Sequence, residues 1–557
     1  MIQKADSLPW LFLAFWCCVV VLYLPAYRGG FYEDFIGTLE AYDKRSFYGF
    51  LRLTTYSLYF GANFFIYCFI TLFHTRPLPW FLLFTGLHAL NAVFQIRFFK
   101  GLFRLWQVPY SNLLLVAGAF VWLLTPLAAE IINWRACSQY MLSMLLLFMI
   151  LKWLTDYLEK PGRALWAKII FTYILSTVFL EYFYLTPVLA FIIITTLAYA
   201  QKPAGKPWLK NVLGIVVPMV IVWCCYYVLL HQISGRVIPH ADLTPAQIPE
   251  TKSLPARAVG KLNKFIVHTY LMEYFLPINT KKVIYQLLAS GPAVVFSAVF
   301  LPILAAFSAL RLRKAKPREQ IITVLLLLFL SNFLLTIPTY FFENFSYQGS
   351  RYFYLSNVFG YMLGGCILFR IVSSHKARLA VTALYLCCCI AGTLYLVNNI
   401  RHATRIMNKI VYDFHWDKGG DVLLLNLPTL YRGIGIAGAG DPSNFAYHLE
   451  VLLHRKVNSR FYDVSSFNMA GPGDGAHVQV IDSIQLKVTL NQEGTWWWFG
   501  GFKALDYENE LYKLRFTDNG ASYLLQFKKV PDPSMVILYQ KAGDWKVLDW
   551  SKKEEQW

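Results

Sequence analysis

Residues 76–104 read RPLPWFLLFTGLHALNAVFQIRFFKGLFR, a long apolar run that ends among cations. A membrane-spanning helix needs about 20 consecutive, predominantly apolar residues. Short loops rich in Lys and Arg lie on the cytoplasmic side of a membrane. We therefore predict a transmembrane helix over residues 78–98, with Arg97, Lys100 and Arg104 at its cytoplasmic end.

The composition of the chain is that of a polytopic membrane protein. Its 557 residues are 57% hydrophobic and only 15% charged, whereas a soluble domain carries about 25% charged residues. The net charge of +19 arises before residue 401, because the remainder holds 18 basic and 18 acidic residues. The surplus cations therefore mark cytoplasmic loops, and we expect no nucleic-acid partner. The ten cysteines lack the spacing of a metal site, and we expect no metal or cofactor.

Ten further apolar runs bring the predicted spans to eleven. With the N-terminus in the cytoplasm, the basic clusters between these runs all fall on the cytoplasmic side. This agreement holds only if residues 56–73 do not cross the membrane, so we predict that they form a helix lying in the interface. We predict the same interfacial location for residues 258–288. The first run has no cleavage site and is expected to be retained as a helix. The predicted spans are 8–26, 78–98, 110–128, 138–155, 166–180, 184–200, 211–230, 289–311, 319–341, 353–372 and 379–398.

The sequence changes in character after about residue 408. Runs such as DVLLLNL (421–427) and SYLLQFKKV (522–530) alternate with turns rich in Gly, Pro, Asn and Asp, which is typical of β-strands. We therefore predict an all-α membrane bundle over residues 1–400 and a β-rich or α+β domain over residues 401–557. An odd number of spans places this second domain outside the cytoplasm.

Two adjacent acids, Glu33 and Asp34, follow the first predicted span in the stretch GFYEDF (30–35). The aromatic neighbours desolvate these acids in part, and two like charges side by side disfavour ionisation of both. Such a carboxylate is suited to act as a general base near neutral pH. A turn at the membrane interface with no chemical role is an equally good interpretation.

Other polar residues on the predicted outer side are candidates for a pocket. Arg351 either grips a phosphate with its guanidinium or extends to the lipid headgroups. His88 lies in mid-span, where a hydrogen-bonded packing role is commoner than a ligand role. Trp496, Trp497 and Trp498 either stack on an acceptor sugar or pack in the core or at the membrane interface. The remaining candidates are Tyr32, Arg52, Arg76, Glu130, Trp134, Arg135, Glu181, Tyr352 and Tyr354.

Four stretches and the acidic pair resemble the multi-span glycosyltransferases of the GT-C fold, in particular the bacterial relatives of the tetratricopeptide-bearing protein O-mannosyltransferases. RPLPWFLLFTGLHALNAVF (76–94) resembles their RPL…LHxLNA pattern, and TPLAAEIINWRACSQYML (125–142) resembles their second outer loop. FLEYFYLTP (179–187) and GSRYFYLSNVFGY (349–361) are similar to their KE…P turn and ERYLYLPSxGF segment. The acidic pair here is Glu-Asp where Asp-Asp or Asp-Glu is commoner, and Ser350 replaces the family's Glu. The resemblance covers residues 8–400.

The resemblance implies a GT-C-like fold and an inverting transfer of a sugar from a polyprenyl-phosphate donor to an acceptor hydroxyl. The reaction would take place at the outer face of a bacterial inner membrane, without a metal, and the acceptor would be a glycan, a lipid or a protein. Asp34, with Glu33 as helper or the reverse, would deprotonate the acceptor. Arg351, helped by Arg135 or Arg52, would bind the donor phosphate.

Three other classes of protein fit the same residues. They are a transporter or flippase for lipid-linked glycans, a polysaccharide polymerase or ligase, and an inactive GT-C relative that serves as a scaffold. The substitution Asp34→Asn should abolish transfer but leave a flippase or a scaffold working. The enzyme hypothesis also requires that Glu33, Asp34 and Arg351 face one cavity.

Overall fold

The computed structural model describes residues 8–30, 34–52, 58–201, 207–235, 254–270, 278–333, 350–432, 434–436, 442–490, 495–498, 506–518 and 521–550. Helices fill most of this part of the chain as far as residue 412. The first ten helices are α1 (Leu8–Tyr23), α2 (Asp34–Lys44), α3 (Phe47–Leu51), α4 (Phe60–Phe73), α5 (Pro77–Leu105), α6 (Asn112–Leu123), α7 (Ala129–Asn133), α8 (Ser138–Glu159), α9 (Arg163–Ser176) and α10 (Thr186–Gln201).

The helices continue up to the C-terminal region, where one more helix lies among strands. A π-helical turn over Val212–Val216 connects the eleventh helix to the twelfth without a break in direction of the chain. These helices are α11 (Pro207–Asn211), α12 (Val217–Ser234), α13 (Leu254–Tyr270), α14 (Ile278–Leu288), α15 (Gly291–Arg311), α16 (Pro317–Ser331), α17 (Ser356–Ile371), α18 (His375–Tyr412) and α19 (Pro442–Leu453).

Seven helices among the described residues are long and apolar enough to cross a membrane, or eight if a bent pair, Asn112–Leu123 with Pro126–Asn133, forms one span. Three further predicted spans coincide with α9, α16 and α17, which have 14, 15 and 16 residues. At 1.5 Å per residue these helices measure about 21–24 Å, less than the roughly 30 Å of a bilayer core. Helix α4, which we predicted to lie in the interface, has 14 residues. The protein is therefore a multi-pass membrane protein, and the count of eleven stays a prediction.

Helix α5 is the centre of the bundle and packs against α1, α6 and α8. Its 29 residues carry buried side chains on several faces, from Trp80 near its start to Phe103 near its end. A helix that is apolar all round is enclosed by other helices. Aromatic rings make much of this packing, and the ring of Phe359 in α17 lies 6.3 Å from both Phe98 and Phe148. Such close packing is what holds helices together within lipid.

The C-terminal region contains thirteen strands within the described residues, and these confirm that it is a β-containing region. The strands are β1 (Asp421–Leu424), β2 (Leu427–Tyr431), β3 (Ile434–Gly435), β4 (Arg460–Asp463), β5 (Ser466–Met469), β6 (Ala476–Val480), β7 (Gln485–Leu490), β8 (Thr495–Trp498), β9 (Tyr507–Glu508), β10 (Tyr512–Thr517), β11 (Ser522–Phe527), β12 (Val536–Lys541) and β13 (Asp544–Val547).

These strands form three sheets, with the orders β13-β12-β1-β4, β6-β7-β11-β10-β9 and β3-β2-β5-β8. In the first sheet β1 runs parallel to both neighbours, so that Val422 pairs with Val536 on one side and Phe461 on the other. The last three residues of β1 are buried, as expected for a central parallel strand covered on both faces. The five-stranded sheet is antiparallel throughout.

Helix α18 connects the membrane bundle to the strands without interruption. The domain boundary that we predicted between residues 400 and 401 falls inside this helix, and the first strand begins at Asp421. Just beyond the helix, the ring of Phe414 lies 5.5 Å from each of the rings of Phe445, Phe461 and Trp545. The end of α18 is thus anchored in the core of the C-terminal region.

Candidate functional site

The segment 125–137, which we predict to lie on the outer side and call the second outer loop, begins at a break in the membrane bundle. Helix α6 ends at Leu123, and the chain bends by 51° before it continues as Pro126–Asn133. The imidazole Nε2 of His88 lies 3.0 Å from the carbonyl oxygen of Leu123, and the hydroxyl of Thr393 donates to the carbonyl of Leu124 at 2.8 Å. Backbone groups at membrane depth must find partners within the protein. Helices α5 and α18 therefore stabilise the break by supplying those partners.

His88 belongs to a buried hydrogen-bonded cluster next to this break. Its Nδ1 lies 2.7 Å from the hydroxyl of Tyr354, and the indole of Trp122 donates to the carbonyl of Tyr354 at 3.0 Å. Because a carbonyl only accepts, Nε2 of His88 carries the proton toward Leu123, and Nδ1 accepts from Tyr354. Both ring nitrogens of His88 are used inside the protein, so the structure places this residue in a packing role.

Arg351 forms an ion pair with Glu130 where α17 approaches the second outer loop. It lies in a 3₁₀ turn, Ser350–Phe353, and its guanidinium donates to one carboxylate oxygen of Glu130. The backbone N–H of Arg351 donates to the other oxygen at 3.0 Å. The guanidinium carbon also lies 4.8 Å from the ring centroid of Trp134. The two charged side chains are 18% and 14% exposed, so this pair lies at the edge of the protein interior.

Arg135 is fully buried and joins the first outer turn to the second outer loop. Its guanidinium donates to the carbonyls of Ile132 at 3.1 Å, Tyr27 at 3.3 Å and Gly29 at 3.2 Å. We predicted that Arg135 helps Arg351 to bind a phosphate, and that role stays a prediction; in the structure Arg135 donates to these backbone oxygens, since buried donors need acceptors. Arg135 therefore holds the loop together here and does not lie at an open surface.

Gly30 lets the two outer segments approach each other. It adopts φ +95°, and a Cβ at this position would lie 1.8 Å from the carbonyl oxygen of Asn133. Only glycine tolerates both the positive φ and this contact. The backbone N–H of Arg135 donates to the carbonyl of Gly30 at 3.3 Å. The turn that leads to the acidic pair is thereby fixed against the loop that carries Glu130.

The acidic pair, Glu33 and Asp34, begins three residues after Gly30. Tyr32 and Glu33 lie outside the described residues, and of Asp34 only the backbone is described, as the first residue of α2. Four residues span at most about 14 Å, so Asp34 stays within about that distance of Gly30. Phe35 is fully buried, and its ring lies 5.2 Å from that of Trp80. These contacts fix the start of α2 near the second outer loop, while the direction of the acidic side chains stays a prediction.

The other predicted site residues are spread more widely. Arg52 follows α3 and Arg76 precedes α5, and both are exposed. Within the part of the chain that the structure describes, no hydrogen bond or ion pair joins either of them to Arg351. Glu181 and Tyr352 lie in 3₁₀ turns, Glu181–Tyr184 and Ser350–Phe353, with side chains outside the description. Trp496, Trp497 and Trp498 form most of β8, which pairs with β5, and their side chains are likewise not described.

No family model and no curated protein matches this chain. Its function therefore has to be argued from its own residues and their geometry. Over the described ranges, no group of three or more His, Cys, Asp and Glu side chains could hold a metal ion.

Helix α2 is held at its other end by the C-terminal region. The hydroxyl of Tyr447 in α19 donates to the carboxylate of Asp43 at 2.6 Å, and the ammonium of Lys44 lies 5.5 Å from the ring centroid of Tyr447. Burial raises the pKa of Tyr447, and the carboxylate of Asp43 raises it further. The C-terminal region thus contacts the helix that begins at Asp34.

Sequence reasoning did not anticipate the break after α6, although the sequence carries a signal for it. Thr125 precedes Pro126, and the Thr125 side chain accepts from the backbone N–H of Leu127 at 3.4 Å. A Thr at the N-cap followed by Pro at the first helical position is a typical helix start. The run 110–128 was therefore two helices and not one. The Glu130–Arg351 pair has no comparable signal, since its partners lie 221 residues apart.

Proposed function

We propose that this protein is an inverting glycosyltransferase of the GT-C type. It would move a sugar from a polyprenyl-phosphate donor to an acceptor hydroxyl at the outer face of the membrane. The observation that carries the proposal is the partly exposed Arg351, which Glu130 and Trp134 orient beside the loop that also fixes the first outer turn. An arginine held in this way is prepared to receive a phosphate.

The roles of the residues follow from the chemistry of the transfer. Asp34, with Glu33 as helper or the reverse, takes the proton from the acceptor hydroxyl. The acceptor oxygen attacks the anomeric carbon, and the bond from that carbon to the phosphate oxygen breaks. The phosphate leaves with the electron pair, and the guanidinium of Arg351 stabilises its negative charge.

Glu130 determines how a donor phosphate can bind Arg351 in this scheme. Its carboxylate already neutralises Arg351, so a donor phosphate either takes the place of Glu130 or binds another edge of the guanidinium, which has five N–H donors. The ring of Trp134 supports the guanidinium from one face through a cation–π contact. Arg135 acts only indirectly, by holding the loop that positions both partners.

The proposal includes the topology that the sequence predicts. Eleven spans place the N-terminus in the cytoplasm of a bacterial cell and the C-terminal region in the periplasm. The C-terminal region would select or position the acceptor, with Trp496–Trp498 as its candidate sugar-binding strand. Its contact with α2 through Tyr447 and Asp43 gives it a route to influence the acidic pair.

The test is a transfer assay on the full-length protein in membranes supplied with a panel of labelled polyprenyl-phosphate sugars. We expect the label of one donor to move to an acceptor, and Asp34→Asn or Arg351→Gln to lower the rate by a factor of about 100 to 1,000. Arg515→Gln, an exposed charge in β10, is the matched control and should retain full activity. Transfer by both site variants at the rate of the unmodified protein would refute the proposal.

A second candidate is a transporter or flippase for lipid-linked glycans. The ion pair between Arg351 and Glu130 favours it. A transporter whose cavity opens alternately to the two sides of the membrane needs a charge that is paired in one state and binds substrate in the other. In that case Asp34→Asn would leave the movement of lipid-linked glycan intact, and no label would become covalently attached to an acceptor.

A further inference from the structure

Helix α18 carries cations at both ends and no acidic residue between them. Its sequence HKARLAVTALYLCCCIAGTLYLVNNIRHATRIMNKIVY has Lys376 and Arg378 at one end, and Arg401, Arg405 and Lys409 toward the other. Arg378 and Arg401 are separated by about 35 Å along a helix that rises 1.5 Å per residue. This is slightly more than the thickness of the hydrocarbon core of a bilayer. Arg401 therefore lies at the depth of the lipid headgroups when the apolar run spans the membrane.

An independent contact gives the same depth. A Cβ on Gly29 would lie 2.9 Å from Ile400 and 3.1 Å from the hydroxyl of Thr404. Gly29 comes just after the apolar segment Pro9–Ala26, which is itself long enough to cross the membrane. The first span thus ends level with residues 400–404 of α18.

The two arginines continue the face of α18 that meets lipid. Cys387, Leu394 and Asn398 are exposed along one side of the helix. Arg401 and Arg405 follow on the same side, because residues three, four and seven apart share a helix face, and both are exposed. No ion pair involves either arginine within the described residues. Lys409, one turn further on, pairs with Asp544.

Another arginine, Arg432 of the C-terminal region, contacts α18 about 9 Å before Arg401 and on a different face of the helix, so it lies outside this pair. Arg432 lies in the turn between β2 and β3 and adopts φ 48°, a conformation that residues other than glycine rarely occupy. Its guanidinium donates to the carbonyl of Ala470 at 2.8 Å and contacts the hydroxyl of Tyr395 in α18 at 3.5 Å. Tyr395 is 38% exposed, and Tyr is enriched at the level where the membrane meets water.

We propose that Arg401 and Arg405, here called the headgroup patch, bind the phosphate of an anionic membrane lipid. Guanidinium groups recognise phosphate oxygens through paired hydrogen bonds. The acyl chains of the bound lipid lie along the exposed apolar face of α18, and its headgroup sits beneath the C-terminal region. The patch holds α18 and the strands at a fixed height above the bilayer. This inference rests on the membrane spans and is independent of the proposed sugar transfer.

The test counts lipids bound to the full-length protein in detergent micelles during titration with phosphatidylglycerol, by native mass spectrometry. Phosphatidylcholine, which has no net charge, is the comparison lipid. Each arginine near a membrane surface contributes about a fivefold gain in affinity for anionic lipid. We therefore expect R401Q/R405Q to weaken phosphatidylglycerol binding about thirtyfold, and R405Q alone about fivefold, with phosphatidylcholine binding unchanged.

Two further variants make the outcome decisive. R515Q removes an exposed charge from the five-stranded sheet and should bind phosphatidylglycerol as the unmodified protein does. R401K/R405K keeps both charges and should retain most of the affinity even though it loses the paired geometry. Equal phosphatidylglycerol affinity in R401Q/R405Q and the unmodified protein would overturn the proposal. If R401Q/R405Q fails to fold, R405Q decides in its place, and unchanged binding in R405Q then overturns it.

Discussion

Removing the carboxylate of Glu130 tests the central contact of the candidate site. The substitution Glu130→Gln keeps the size of the side chain but leaves Arg351 without its counter-charge. The two side chains are 14% and 18% exposed, so the cost lies between that of a surface pair, at most about 1 kcal/mol, and that of a broken buried pair, about 3–5 kcal/mol. We expect Glu130→Gln to lower the free energy of unfolding by about 2–3 kcal/mol.

A double-mutant cycle separates the ion pair from the other effects of the substitution. Arg351→Gln is the second single variant, and Glu130→Gln with Arg351→Gln is the double variant. Because the double variant has no unpaired charge, it should be more stable than the sum of the two single changes implies, by about 2 kcal/mol. Denaturant unfolding in mixed micelles, followed by tryptophan fluorescence, gives all four free energies. Single changes that add to within about 0.5 kcal/mol would show that the pair is not a unit of stability.

Three other substitutions test the contacts around the site. Gly30→Ala should lower the free energy of unfolding by more than about 3 kcal/mol, because the new Cβ overlaps the carbonyl of Asn133 and the residue keeps a positive φ; unchanged thermal unfolding would contradict this close contact. Thr393→Val should cost about 1–3 kcal/mol, because a carbonyl at the helix break loses its donor; denaturant unfolding measures the cost, and Thr195→Val is a control on an exposed hydroxyl. Tyr447→Phe removes the bond to Asp43. The pKa of Tyr447 is raised in the folded protein. The contribution of the neutral tyrosine to the free energy of unfolding is therefore complete below the ordinary tyrosine pKa of about 10, and it is lost as the pH rises beyond that value. The stability difference between the variant and the unmodified protein should therefore shrink above pH 10, and a difference that stays constant would refute this.

The membrane helices could be located from the sequence because their signal is local. The apolar run and terminal cations of residues 76–104 sufficed to place α5, which the structure begins at Pro77 and ends at Leu105. Helix α18 extends beyond the predicted span 379–398 for a physical reason. Hydropathy falls after Val397, but the following residues contain no Gly or Pro, and the helix continues to Tyr412. Hydropathy reports where lipid ends, whereas a helix ends only where the backbone is interrupted.

Candidate site residues could be chosen from the sequence, but their pairings could not. Glu130, Trp134 and Arg351 were all expected on the outer side, yet nothing in the sequence showed that Glu130 would neutralise Arg351. Arg135 looked like its neighbours in the sequence, and only the three-dimensional path of the first outer turn reveals that backbone carbonyls surround it. Long-range contacts of this kind depend on tertiary packing, which local patterns do not encode.

The continuity of α18 has a mechanical consequence. A helix of 38 residues is about 57 Å long, and its far end is clamped by the ring of Phe414 among three other aromatic rings. The segment beyond Thr393 acts as a lever arm of about 28 Å. A tilt of about 10° within the lipid would carry the strands sideways by about 5 Å. A tilt of α18 would thereby displace the sheets of the C-terminal region, without any hinge in the helix between them.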